Sequence, residues 1–472
     1  MRILIDLQGA QNGSRHRGIG RYSLALAKAI SKNAGAHQVF ILLNGLFPES
    51  IEDVRASFFE TLAADRFLIF TAPGPVAELR PENTWRRRTA EILREYVIDT
   101  FAPDAVLITS MVEGAEDDTI TSLGSLGSTV PTAAVLYDLI PLLDPDRYLK
   151  QEPVRLWYHG KVDSLCRADI LFAISQSTAN DAIRMLAIEP ARIKNISTAA
   201  DSIFSPLSVS LSDATSVAKR LGIVRRYLMH SSVFEARKNF QGLIRAYAAL
   251  PEAVRADHQL VLVCQLDVAG QEELTTLAKK LGLAPDAMVL PGFVTDADLI
   301  ALYRGCHLFV FPSFLEGFGL PALEAMCCGT PTIGSNATSI PEVIGCKDAL
   351  FDPASTQEMT ALILKALTDA GFYQSLKSHA KTQAARFSWD ETALRAIAGL
   401  EDLVARRGPP AHGIESAAAK RRNMLEAVAE VARNMPPNDF EILKLARSID
   451  DSHNAVARLK ASAAVRAPAP AP

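Results

Sequence analysis

The chain has 472 residues, a formal net charge of −4 and 49% hydrophobic residues. That apolar content fills two to three cores at about 150 residues each and is too high for a disordered chain. The near-balanced charge supplies no field that would gather nucleic acid.

The N-terminal stretch "MRILIDLQGAQ" lacks a signal-peptide apolar region, because Asp6 interrupts it. No run reaches the roughly 18 apolar residues of a membrane span, so the expectation is a soluble cytoplasmic protein with any membrane contact peripheral. Short apolar runs then follow at residues 2–7, 38–44, 66–70, 105–109, 132–138 and 170–175. Their length and continuity fit strands buried on both faces of a parallel sheet. Amphipathic stretches lie between them, such as Ile19 to Ser31, where Tyr22, Leu26, Ala29 and Ile30 share one helical face. The β-α alternation predicts a doubly wound α/β domain over residues 1–204.

Residues 205–216, "SPLSVSLSDATS", are rich in Ser and read as a linker. The pattern restarts with runs at 225–232, 258–265, 287–293, 308–313, 330–335 and 349–353. This predicts a second α/β domain over 217–405, closed by a helix from Trp389 to Val404. Residues 406–472 read as a helical tail that ends in a disordered Pro/Ala segment, "APAPAP". Two doubly wound domains facing each other make a cleft, and such sheets bind ligands beyond the carboxyl ends of their strands.

The densest chemistry lies in "FVFPSFLEGFGLPALEAMCCG", Phe309 to Gly329. Gly317 and Gly319 let the backbone approach a ligand closely. Pro321 suits the first turn of a helix and Gly329 its end. A helix start is a natural phosphate site, so Glu316 and Glu324 must face other groups, and sugar hydroxyls are the obvious ones. On the residues alone, a strand–turn–helix with one solvated and one capping Glu stays open. Upstream, Arg237 and Lys238 precede a helix from Phe240 to Ala249, with Asn239 as its expected N-cap. Two cations there make an anion site that could stabilise a leaving diphosphate, or else a solvated basic turn. Gly9, Gly13, Gly18 and Gly20 follow the first strand. A Gly-rich turn there can admit a phosphate or sugar, but it departs from the dinucleotide fingerprint, which disfavours an NAD-dependent oxidoreductase.

Other features read blandly. Asp144 to Asp146, "DPD", is a Pro-containing loop, and Asp296 to Asp298, "DAD", starts a helix with Asp296 as cap. Neither is assigned a metal, and no zinc-type Cys/His spacing occurs. The six cysteines, including Cys327 and Cys328, show no paired spacing and read as reduced thiols. "WRRR", Trp85 to Arg88, reads as a solvated basic helix face, with an anionic membrane surface as the alternative.

Taken together the second half resembles the retaining glycosyltransferases of family 4, which have the GT-B fold. The resemblance rests on "EARKN" (Glu235 to Asn239), "PGFVTDADLIALYRGC" (Pro291 to Cys306), "PSFLEGFGLPALEAMCCGTPTIGS" (Pro312 to Ser335) and "IPEVIG" (Ile340 to Gly345). The first half matches more loosely, through its Gly-rich turn, "YDLIP" (Tyr137 to Pro141) and "ADILFAIS" with "QST" (Ala168 to Thr178). The resemblance implies an α/β fold of two Rossmann-like domains facing each other across a cleft. It implies that Arg237 and Lys238 grip the donor diphosphate. Glu316, with Gly317, Phe318, Gly319 and Leu320, would hold the donor sugar and phosphate, Gly18 would face the donor, and Glu324 would bind the ribose. It implies retention of anomeric configuration, no cofactor and no bound metal. Where many members carry a His, this chain has Tyr137, followed by Asp138 as an acceptor-side candidate.

The start "RHRGIGRYSLALAKAI" and the stretch Val112 to Asp118 are similar to a subgroup that builds bacterial surface polysaccharides. That resemblance points toward mannose from GDP-mannose, moved to a glycan or lipid-linked glycan acceptor. Glu316→Ala is expected to abolish transfer with little loss of folding. The competing readings are a non-catalytic nucleotide-sugar-binding scaffold and another GT-B enzyme, such as a nucleotide-sugar epimerase or a phosphorylase.

Overall fold

The structure, a computed structural model, describes residues 1–16, 18–407, 416–435 and 437–465. The Pro/Ala segment at the C-terminus lies outside the described residues. The chain divides into two compact units. Unit 1 contains residues 1–174, 179–196 and 389 onward, and unit 2 contains residues 175–178 and 197–388.

Unit 1 is built on seven parallel strands: β1 (Arg2–Asp6), β2 (Gln38–Asn44), β3 (Phe67–Phe70), β4 (Ala105–Ile108), β5 (Thr132–Leu136), β6 (Ile170–Ala173) and β7 (Ile193–Asn195). Their order is β3-β2-β1-β4-β5-β6-β7. Ile3 pairs with Val39 on one side and Ala105 on the other, so the direction of winding reverses beside β1. β4, β5 and β6 are buried along their whole length, as continuous apolar runs require. The helix Gly18–Lys32 buries Tyr22, Leu26, Ala29 and Ile30, the expected face. β7 was not expected from the sequence. It is a three-residue edge strand that is only half-buried.

Two boundaries differ from expectation. The helix Trp389–Arg407 packs in unit 1 and does not close the second domain. Trp389 meets Tyr22 edge-on at 5.2 Å, Lys32 pairs with Asp390 at 2.9 Å, and Gly399 lies so close to the Phe172 ring that a Cβ would come within 2.6 Å of it. Beyond it, the helices Ala417–Asn434 and Asp439–Val465 join the same core through Met424, Val428, Ile449, Val456 and Leu459. Asp439–Val465 lies along the β3 edge, where Thr71 N–H donates to Ser452 Oγ and Thr71 Oγ1 donates to the Ser448 carbonyl, while Ala417–Asn434 packs on the helix Thr84–Phe101. An open strand edge invites pairing with other chains, and here a helix covers it. The basic cluster takes part. Trp85 is buried, Arg86 pairs with Glu441 at 2.6 Å, and Arg87 pairs with Glu91 at 2.7 Å, so only Arg88 resembles the solvated face expected.

Unit 2 has six parallel strands: β8 (Arg226–Ser231), β9 (His258–Val263), β10 (Met288–Val289), β11 (Leu308–Phe311), β12 (Thr332–Ser335) and β13 (Leu350–Phe351). Their order is β10-β9-β8-β11-β12-β13, so the winding reverses between β8 and β11. The expected linker is partly helix. Leu211–Arg220 starts within it, and the Ser210 hydroxyl caps it by accepting from the Asp213 N–H. Likewise Thr295, and not Asp296, caps the helix Asp296–Gly305, while Asp298 pairs with Arg220 at 2.6 Å. Among the described residues no helix is long and apolar enough to cross a membrane, and all six cysteines are free.

Candidate functional site

In an open parallel sheet the ligand crevice forms beyond the carboxyl ends of the strands where the order reverses. In unit 2 those ends belong to β8 and β11. The segment after β8 turns through Ala236–Lys238 into the helix Phe240–Ala248. The segment after β11 runs from Pro312 to Gly319 into the helix Leu320–Cys327. Both expected clusters therefore meet at the reversal. The Phe314 N–H donates to the Arg237 carbonyl at 2.8 Å and ties the two loops together.

Lys238 Nζ reaches both oxygens of Glu316, at 2.7 and 2.8 Å, and Arg237 Nη1 reaches Glu316 Oε2 at 3.1 Å. Arg237 also donates to Glu235 at 2.7 Å and to the Leu315 carbonyl. Lys238 and Glu316 side chains are each 8% exposed. Two cations and two carboxylates thus neutralise one another, with Lys238 and Glu316 enclosed and Glu235 open to solvent.

Asn239 sits at the helix start but makes no side-chain cap. Its backbone is left-handed, φ 58°, and its amide donates to the carbonyls of Pro312 and Pro353. It ties the ends of β11 and β13 and does not serve the expected capping role. His230 is fully buried. Its Nδ1 donates to the Val310 carbonyl, which leaves Nε2 to accept from the Ser232 hydroxyl at 2.8 Å. Burial, with the Lys238 charge, lowers its pKa to about 3, so this ring is neutral.

Gly319 precedes the helix Leu320–Cys327 with φ 116°, a conformation only glycine adopts without strain. Pro321 stands in the first turn and Gly329 follows the last, as expected. Among the described residues, no group accepts from the backbone N–H of Gly317, Phe318, Gly319 or Leu320. Gly317, Phe318 and Gly319 are nonetheless buried. Buried N–H groups without partners are rare, and at a helix start they make an anion cradle. Glu324, farther along this helix, accepts from the Tyr303 hydroxyl at 3.1 Å, and that hydroxyl is 2.7 Å from Ser231 Oγ. The pair of carboxylates in one segment is explained: Glu316 faces the cations, and Glu324 faces a hydroxyl relay at the end of β8.

Unit 1 has its own reversal at β1 and β4. Gly18 begins its helix, exposed, with open space where a Cβ would point. Gly20 is needed for packing, since a Cβ would lie 2.3 Å from the Ser14 carbonyl oxygen. The Tyr137 hydroxyl donates to the Thr109 carbonyl at 2.9 Å and lies 3.1 Å from Ser23 Oγ, so it is engaged inside unit 1. Asp138 accepts from the Ile140 N–H and starts the short helix Ile140–Leu143. Asp144 accepts from Arg147.

Glu113 lies in the stretch Val112 to Asp118 but is not singled out as a site residue by the sequence. It lies beyond the end of β4, 7% exposed, and accepts from Ser110 Oγ and Asn12 Nδ2, each at 2.9 Å. Burial outweighs these bonds and pushes its pKa up to about 7. The unfolded carboxyl ionises first as pH rises, near 4.5, so folding loses stability between about 4.5 and 7. The penalty is complete above that range and amounts to about 3 kcal/mol. Glu113→Gln is expected to flatten this part of the stability profile. Urea titrations of both proteins from pH 5 to 8 check it, and parallel profiles would refute it. His230 acts oppositely, since its lowered pKa costs stability as pH falls below 6.5.

The sequence profile of the family described as Glycosyl transferases group 1 matches residues 219–383. The chain is 41% identical over 438 residues to the serotype-specific mannosyltransferase WbdA of Escherichia coli, covering 92% of this chain and 52% of that protein. It is 28% identical over 384 residues to the O-antigen chain mannosyltransferase B of Escherichia coli, covering 80% and 94%. The chain thus spans about half the length of the WbdA proteins it matches. Among solved structures, Anabaena HepE in complex with UDP-glucose aligns with a TM-score of 0.58 at 22% identity, covering 86% of this chain and 100% of that one. Sucrose-phosphate synthase from Thermosynechococcus elongatus aligns with a TM-score of 0.62 at 17% identity, again over 86% and 100%. Residues 219–383 thus form a group 1 glycosyltransferase domain, and the chain is built from the two doubly wound units of the GT-B fold.

Proposed function

We propose that this chain is a retaining mannosyltransferase that moves mannose from GDP-mannose to a glycan or lipid-linked glycan acceptor in surface-polysaccharide synthesis. The observation that carries the reading is the joining of Arg237, Lys238 and Glu316 beside the unpartnered N–H groups of Gly317 to Leu320. The N–H cradle and the two cations would take the diphosphate and stabilise the charge that grows on it as the glycosidic bond breaks. Glu316 would take sugar hydroxyls, and the leaving diphosphate would accept the acceptor's proton. The mannosyltransferase relatives support the choice of sugar. No cofactor and no metal enter this scheme.

The test is nucleoside-diphosphate release from a panel of nucleotide sugars, with acceptor glycans, a chelator, and Glu316→Gln alongside. Release of GDP from GDP-mannose alone, unchanged by chelator and lost in the variant, is the expected result. Binding of donor without turnover under every acceptor would instead make the chain a nucleotide-sugar-binding scaffold. Isomerised donor would make it an epimerase.

The ribose assignment has its own test. Glu324→Ala removes the acceptor of the Tyr303 hydroxyl bond and is expected to weaken binding of the free nucleoside about tenfold. Calorimetry with nucleoside lacking any phosphate checks it. Unaltered affinity would remove Glu324 from the ribose site.

A further inference from the structure

Two stretches quoted above have no role in the reaction as described: "QST" at 176–178 and "IPEVIG" at 340–345. The structure brings them together within unit 2. The Glu342 carboxylate spans the first turn of the helix Gln176–Leu186. Its Oε2 accepts from the Gln176 N–H at 2.8 Å and its Oε1 from the Ser177 N–H at 2.6 Å. A carboxylate there satisfies two otherwise orphan donors and complements the helix dipole.

The next residue, Thr178, is turned toward the donor loop. Its hydroxyl accepts from Ser175 Oγ at 3.0 Å and donates to the Gly317 carbonyl at 3.2 Å. From the other side Ser339 Oγ donates toward the Glu316 carbonyl at 3.1 Å and the Phe318 carbonyl at 2.7 Å. Three successive carbonyls, 316 to 318, are therefore held by two hydroxyls. In a planar trans peptide the C=O of one residue and the N–H of the next point in opposite directions. Fixing these three carbonyls aims the N–H groups of Gly317, Phe318 and Gly319 away from Thr178 and Ser339. Those are the unpartnered donors of the cradle.

We infer that Thr178 and Glu342 are positioning residues for the donor diphosphate: Glu342 anchors the helix start, Thr178 grips the Gly317 carbonyl, and the Phe318 N–H is thereby aimed at a phosphate oxygen. This rests on the proposed transferase reading for the identity of the anion. The geometry of the clamp does not depend on it.

Thr178→Val keeps the shape of the side chain and removes the hydroxyl. Thr178→Ser restores it, and Glu342→Ala removes the anchor. The first measurement is amide hydrogen exchange of the 313–323 segment without any nucleotide. Faster exchange in Thr178→Val and Glu342→Ala, restored in Thr178→Ser, is expected. Unchanged exchange in both would overturn the clamp, whatever the protein binds. The second measurement is calorimetry with whichever of GDP, UDP or ADP the parent binds, and with the matching nucleoside. The two variants are expected to lose about tenfold in diphosphate affinity, as for one well-made hydrogen bond, and to keep nucleoside affinity. Equal loss for both ligands would mean a general disturbance of unit 2 and would overturn the positioning role. A parent that binds none of the three nucleotides would defeat the transferase reading, and exchange alone would then judge the clamp.

Discussion

Glu316→Gln is expected to lower sugar transfer by at least about 100-fold while nucleoside-diphosphate affinity holds or rises. The reason lies in the ion pairs. Glu316 now neutralises Lys238 at 2.7 Å and Arg237 at 3.1 Å. A diphosphate reaching those cations must displace the carboxylate or share them with it. Glutamine keeps the shape and a hydrogen-bonding oxygen but cannot neutralise, so the cations would favour phosphate more strongly. It also cannot bind growing positive charge at the sugar, so the loss falls on turnover. Calorimetry with nucleoside diphosphate, beside transfer assays on the same samples, separates the two. A parallel fall in affinity and turnover would sink this account.

Alanine at the same position is a poorer probe than the sequence implied. Lys238 is nearly enclosed, and losing its carboxylate partner leaves a desolvated ammonium, at a cost of about 2 kcal/mol or more. The expectation that Glu316→Ala would leave folding nearly untouched is therefore revised, and a thermal melt of the variant checks it.

What was legible in the sequence follows a physical line. Strands announce themselves as apolar runs, and twelve of the thirteen strands among the described residues were found in that way. β7 escaped because Ile193-Lys194-Asn195 holds a single apolar residue, whereas the shorter edge strands β10 and β13 are wholly apolar. The helix Trp389–Arg407 was recognised as a helix, but a periodic pattern does not say which sheet will receive it. The tail helices were legible only as Ala-rich periodicity, since their contribution to the unit 1 core rests on a few residues such as Met424 and Val456. In the site, Arg237, Lys238, Glu316 and Glu324 could be named because glycines and a strand–turn–helix pattern framed them. That Glu316 would pair with the cations, and that Asn239 would bridge two strand ends, depends on the three-dimensional meeting of segments more than 70 residues apart. Glu113 had no such frame. Its raised pKa comes from burial, which local sequence does not disclose.

Arg94→Met is expected to destabilise unit 1 by about 3–5 kcal/mol, the usual cost of leaving one partner of a buried ion pair alone. Arg94 is 0% exposed and Asp6, the last residue of β1, is 1% exposed. They meet at 2.6 Å. Around them Gln8 donates to both Asp6 oxygens and to the Ile120 carbonyl, and Arg94 donates to the Ser122 carbonyl. The pair and Gln8 therefore join the end of β1, the helix Thr84–Phe101 and the 120–122 segment. Asp6→Asn combined with Arg94→Met removes both charges. It is expected to recover more than half of the loss, because a neutral amide needs no counter-charge. Urea denaturation of the two single variants and the double checks the cycle. Additive losses would mean that packing of the Arg94 stem, and not the charge pair, carries the stability. Arg94 and Asp6 lie in unit 1, whereas Arg237, Lys238, Glu316 and Glu324 all lie in unit 2. Nucleoside-diphosphate binding by folded Arg94→Met should therefore match the parent's, and a large fall would mean that the donor site draws on unit 1 as well.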